Sequence, residues 1–117
     1  MNQDIIEKKS GCIQSALKVI GNKWSALLIR ELMTGPRRFV ELQKAVTGIS
    51  PRTLSQRLDE MELIGIISKE VFAEVPPKVV YTLTERGTDL APILQQMADW
   101  GFKHYMAAPK SQISSTK

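Results

Sequence analysis

The chain of 117 residues is 43% hydrophobic and 24% charged, and 16 lysines and arginines against 12 aspartates and glutamates leave a net charge of +4. That is enough for one domain with a modest core, and the composition excludes a disordered or fibrous polymer. No apolar stretch approaches the roughly 18–20 residues of a membrane helix, Met1-Asn2-Gln3-Asp4 does not begin a signal peptide, and the lone Cys12 excludes an internal disulfide framework, so a cytoplasmic protein is expected.

Residues 12–20 carry a short helical stripe of Ile13, Ala16, Leu17 and Ile20. Gly21 breaks it, and Asn22 is suited to cap a second helix over residues 23–34. That helix is expected to bury Trp24, Leu27, Leu28 and Leu32 before Gly35-Pro36 ends it. Arg37-Arg38-Phe39 reads as a short extended piece. A compact helix over residues 40–46 follows, with Leu42 and Val46 inward, and Thr47-Gly48-Ile49 forms a turn.

Ser50 then caps a helix over residues 51–63, with Pro51 at its first position. Leu54, Leu58 and Met61 share one face, while Arg52, Thr53 and Gln56 point the other way. Arg57 adds a further positive charge, and beyond it the helix turns acidic at Asp59, Glu60 and Glu62. A helix that is basic at its start and acidic at its end runs against its macrodipole, at about 0.3–1 kcal/mol per misplaced charge. Local rules broken in this way mark places where function overrides stability. Two helices joined by a short glycine-containing turn, the second rich in outward polar side chains, form the helix-turn-helix pattern.

Gly65 stops that helix, and residues 66–72 read as a strand rich in β-branched and aromatic side chains. Residues 73–78 form a loop whose two prolines exclude ladder pairing at its tip, and residues 79–83 form a second strand. The expected fold is therefore mainly α with a small β-hairpin wing, a winged helix-turn-helix. Thr84 caps a final helix with Leu90, Ile93, Leu94, Met97 and Ala98 in a wide stripe, which Pro92 is expected to kink or split. Trp100, Phe102, Tyr105 and Met106 exceed what a small core can absorb. Residues 107–117 are small and polar, as in a disordered tail, which leaves 8–106 as the domain.

The positive charge is concentrated. Residues 37–57 hold Arg37, Arg38, Lys44, Arg52 and Arg57 against the single acid Glu41, a net +4 that equals the excess of the whole chain. That is the local footprint of a DNA-binding surface.

Cys12, Gly21-Asn22-Lys23-Trp24, Gly35-Pro36-Arg37-Arg38-Phe39 and Ile49-Ser50-Pro51 occur in that order. Leu54-Ser55-Gln56-Arg57-Leu58, Glu74-Val75-Pro76-Pro77 and Tyr81-Thr82-Leu83-Thr84 follow. Over about residues 12–101 this set resembles the HxlR family of bacterial winged helix-turn-helix regulators, relatives of the MarR type. The resemblance implies a homodimer built from the terminal helices, recognition helices in successive major grooves, and regulation of transcription, most often repression, at a partly palindromic operator. Some members sense electrophiles or oxidants through a cysteine near the first helix, which corresponds to Cys12.

Arg52, Thr53, Gln56 and Arg57 are the candidates for groove contact, since arginine to guanine and glutamine to adenine are the favoured bidentate pairings. The alternative is an ordinary solvated helix face. Ser50 caps and is a candidate phosphate contact. Arg37, Arg38 and Lys44 are candidate backbone contacts or a solvated charge run. Lys78 in the wing loop, with Lys69 on the strand, suits a wing that skims phosphates, because Glu74 in the same loop opposes deep insertion. Cys12 has two readings: a reactive thiolate favoured by a helix N-terminus and by Lys8 and Lys9, or a small apolar residue packed under the first helix. Trp24, Trp100, Phe102 and Tyr105 are core and interface residues or the lining of an effector pocket.

His104 is the only histidine and lacks metal-ligand neighbours, so neither a metal nor a cofactor is expected. No nucleophile motif or phosphate loop suggests an enzyme. The competing readings are a winged-helix module for protein association and a single-strand or RNA binder. The retained basic patch argues against the first, and aromatic residues in apolar rather than basic contexts argue against the second.

Overall fold

A computed structural model describes residues 3–106, with side chains from Gly11 onward. In chain order the elements are α1 (Gln3–Ile20), α2 (Lys23–Leu32), β1 (Arg37–Arg38), α3 (Phe39–Ala45), α4 (Pro51–Leu63), β2 (Ile67–Phe72), β3 (Lys78–Leu83), α5 (Glu85–Thr88) and α6 (Ala91–Gly101), followed by a π-helical turn, Phe102–Met106. The expected tail, residues 107–117, lies outside the described residues. The mainly helical fold with its wing is as the pattern predicted.

The local signals work as anticipated. The Asn22 side-chain oxygen accepts the backbone N–H groups of Trp24 and Ser25 at 2.9 and 3.2 Å, which satisfies two donors that the first turn of α2 leaves open. Ser50 Oγ accepts from Thr53 N–H at 3.1 Å at the start of α4. At the other end of α4, Gly65 takes φ +82°. That left-handed step lets Ile66 N–H reach the Met61 carbonyl at 2.8 Å and Gly65 N–H reach Glu62 at 3.0 Å, the paired bonds of a Schellman stop.

Leu28, Ile29 and Leu32 of α2 meet Leu42 of α3, Val46, Ile49, Leu54, Leu58 and Met61 of α4, and Ile66, Ile67 and Leu94 in one buried cluster. At about 1.5–3 kcal/mol for each fully buried large side chain, this cluster is what holds α4 on the body. Trp24 and Leu27, expected inside, are only half-buried at its edge, and Ile29 takes the central place. The Lys23 ammonium lies 4.5 Å from the centre of the Trp24 ring.

The wing differs from a simple hairpin. Arg37 and Arg38 form a third strand that pairs antiparallel with β3, opposite Tyr81 and Val80, so the sheet order is β1-β3-β2. A two-residue strand has no periodicity of its own and exists only through its partner. Lys78, expected in the loop, is instead the first residue of β3, opposite Phe72, and its ammonium lies 5.1 Å from that ring.

Thr84 ties the sheet to the C-terminal helices. Its Oγ1 accepts Gly87 N–H at 3.1 Å, and its own N–H donates to the Ile66 carbonyl at 3.0 Å. Gly87 is buried where α5 crosses that carbonyl, and a Cβ there would collide with the Ile66 oxygen and crowd Leu83. Pro92 occupies the first turn of α6, so the expected break falls between α5 and α6. Of the apolar stripe that follows, only Leu94 is buried. Ile93, Met97, Trp100, Phe102, Tyr105 and Met106 are exposed, as are Ile13 and Leu17 on α1.

Candidate nucleic-acid interface

Three short segments of backbone bring the basic residues to the surface: the outward face of α4, the β1–α3 corner and the wing. On α4 the inward arc is Leu54, Leu58 and Met61, each 2% exposed or less. Arg52 and Gln56, four residues apart, therefore stand on the opposite side, and both are exposed. Among the described residues neither side chain makes a hydrogen bond or ion pair, so their donors and acceptors are available to a ligand. Thr53 and Arg57 sit at the flank and are half-buried. The Thr53 hydroxyl takes a hydrogen bond from Ser50 Oγ at 3.0 Å, and Arg57 is held by Glu60 at 2.7 Å. Arg57 thus gives up part of its positive field to the acidic end of its own helix. Ser55, exposed three residues after Arg52, joins the edge of this outward face, a position that helical periodicity alone assigns it.

At the corner, Arg38 is exposed and its backbone N–H donates to Glu41 Oε1 at 2.8 Å, which caps α3. Arg37 turns back on its own loop, donating to the Pro36 carbonyl at 2.9 Å and to the Thr34 hydroxyl. Lys44 is exposed in the last turn of α3. Arg37, Arg38 and Lys78 line one concavity with Glu41 and Phe72, so the corner and the wing form one basic surface. Lys69 does not join it. It stands opposite Tyr81 whereas Lys78 stands opposite Phe72, and that odd offset along β3 puts the two lysines on opposite faces of the sheet.

Cys12 requires a correction. α1 begins at Gln3, not next to the cysteine, so Cys12 lies in the middle of an 18-residue helix, away from the N-terminal end of its dipole. Nor is it packed beneath the helix; its side chain is exposed.

The acidic end of α4 approaches the sheet at Tyr81. Burial first, and the nearby Asp59 and Glu62 carboxylates second, push the phenol above its usual value of 10.0. A raised folded value means that the proton is bound more tightly in the native state. The stabilising contribution is complete below about pH 10 and is lost as pH climbs from there through the folded value. Tyr81→Phe should flatten this alkaline loss, read as Tm against pH between pH 9 and 11; an unchanged slope in the variant would show that another group causes it.

A helix-turn-helix held on a small core, with a three-stranded wing beside it and a basic outward face, defines a winged-helix regulator. The family model described as HxlR-like helix-turn-helix matches residues 19–109, and the chain belongs to that family. It is similar to the HTH-type transcriptional regulator YdeP of Bacillus subtilis, 43% identical over 95 residues that cover 80% of this chain and 74% of YdeP. Among solved structures, the redox regulator HypR in its reduced form superposes with a TM-score of 0.76 at 41% identity, over 79% of this chain and 91% of HypR. Reduced YodB of B. subtilis gives 0.72 at 38% identity, over 82% and 94%. YdeP and YodB are transcriptional regulators and HypR is a redox regulator, none of them an enzyme, and among the described residues no helix is long and apolar enough to cross a membrane.

Proposed function

We propose that the chain is a homodimeric repressor that binds double-stranded DNA sequence-specifically at a pseudo-palindromic operator. The observation that carries this reading is the outward face of α4: Arg52 and Gln56 exposed, unengaged among the described residues and one helical turn apart on a helix anchored by three buried side chains. α4 enters the major groove by its N-terminal half, with Thr53 and Arg57 at its flank and Ser50 against a phosphate. Arg37, Arg38, Lys44 and Lys78 grip the backbone alongside, and Lys69 on the far face of the wing is the weakest of the contacts. Dimerisation uses the apolar faces of α1 and of the C-terminal helix, where Ile13, Leu17, Met97, Trp100 and Phe102 are 48–65% exposed.

The test is duplex affinity at two salt concentrations. Each phosphate neutralised contributes about −0.9 to the slope of log affinity against log salt, so six to ten contacts weaken binding about 10³–10⁵-fold between 50 and 200 mM. Salt-insensitive or absent binding overturns the proposal.

Cys12 is the proposed point of redox or electrophile control, in keeping with its exposure and with HypR, a redox regulator known in oxidized and reduced forms. If so, diamide or a quinone changes the duplex affinity of the native chain, and Cys12→Ser abolishes that change. A response that persists in the variant removes Cys12 from the role.

A further inference from the structure

The four candidate residues of α4 are not equally free. Arg52 and Gln56 are unengaged among the described residues, whereas Arg57 Nη2 donates to Glu60 Oε1 at 2.7 Å. The Arg57 side chain is only 20% exposed and that of Glu60 61%, so the pair is screened less than an ordinary surface bridge. Its direction matters. Side chains on a helix lean toward its N-terminus, the end of α4 that docks in the proposed complex. Glu60, three residues on, draws the Arg57 guanidinium the other way, toward the acidic end of the helix. With the acid placed C-terminal to its base, the pair has the weaker of the two helical orders and opposes the macrodipole. It therefore adds little to the helix itself.

We infer that Glu60 limits DNA affinity: it competes with a backbone phosphate for the Arg57 guanidinium and withholds that contact from the duplex. A guanidinium presents its donors in a planar fork that fits carboxylate and phosphate alike. While that fork is turned to Glu60, it stands back from the docking half of α4. Of the two arginines of α4, only Arg52 is then free, among the described residues, to meet DNA. The acid next to Glu60 provides the comparison. Asp59 lies two turns beyond Arg52 on the outward face, is exposed, and makes no ion pair among the described residues. Removing its charge reports plain repulsion from DNA, with no arginine released. The role of Glu60 rests on the DNA-binding reading above.

The experiment measures the affinity of the full chain for random duplex DNA against salt, well below the Tm of each variant. Glu60→Gln should tighten binding at least fivefold. It should also steepen the slope of log affinity against log salt by about 0.9, the signature of one added phosphate contact. Asp59→Asn should tighten binding less than half as much. In an Arg57→Gln background, which keeps much of the half-buried stem, Glu60→Gln should gain no more than Asp59→Asn does. Equal gains from Glu60→Gln and Asp59→Asn, or a Glu60→Gln gain that persists without Arg57, reduce the effect to plain repulsion and overturn the inference. A loss of affinity in Glu60→Gln also overturns it, because Glu60 would then steer Arg57 onto the DNA. Salt-dependent binding by the native chain with an unchanged Glu60→Gln variant indicts the role of Glu60 alone. Absent duplex binding by the native chain indicts the regulator reading.

Discussion

Arg52→Ala combined with Gln56→Ala should abolish the preference for operator over random duplex while leaving the fold unchanged. Each bidentate base contact is worth about 1–3 kcal/mol of discrimination, so losing both should reduce the operator preference by about 30-fold or more per half-site. The fold should not notice. Both side chains are exposed and make no hydrogen bond or ion pair among the described residues, and exposed substitutions of this kind stay within about 0.5 kcal/mol. Binding to a selected operator and to random duplex at one salt concentration, beside a thermal melt, checks both halves. A retained operator preference would move base reading to other residues, and a collapsed melt would show that the outward face carries core contacts.

Leu54→Ala on the opposite face of the same helix should do the reverse. Leu54 is 0% exposed at the centre of the cluster that joins α2, α3 and α4. Removing a buried leucine down to alanine costs about 2–5 kcal/mol, because transfer energy and cavity add. That is a large share of the roughly 5–15 kcal/mol that holds a domain together, and for a chain of this size it lowers Tm by more than about 10 °C. DNA binding measured well below the new Tm should survive. A Tm within about 2 °C of the native chain would mean that α4 does not rest on this face.

The contrast between these two variants shows which parts were legible early. The caps at Asn22, Ser50 and Thr84, the stop at Gly65 and the inward arc of α4 depend on residues within one or two turns of each other. Side-chain chemistry and helical periodicity therefore suffice to locate them. Pro92 marks the break before α6 for the same reason. The extended piece at Arg37-Arg38 is legible locally, but its partner strand is not, because that contact spans the chain. β1 exists because Arg37 and Arg38 find Tyr81 and Val80 more than forty residues later. The start of α1 at Gln3 is not legible because its first turns carry little apolar periodicity, and that start puts Cys12 in mid-helix rather than at a terminus.

The candidate interface divides along the same line. The amino-acid order by itself determined that α4 is a capped, amphipathic helix with Arg52 and Gln56 opposite its leucines, because a 3.6-residue period allows nothing else. It also concentrated the net charge between Arg37 and Arg57. Only the tertiary structure decided which basic residues share a surface. Strand register, a long-range choice, placed Lys78 beside Arg38 and turned Lys69 to the other face.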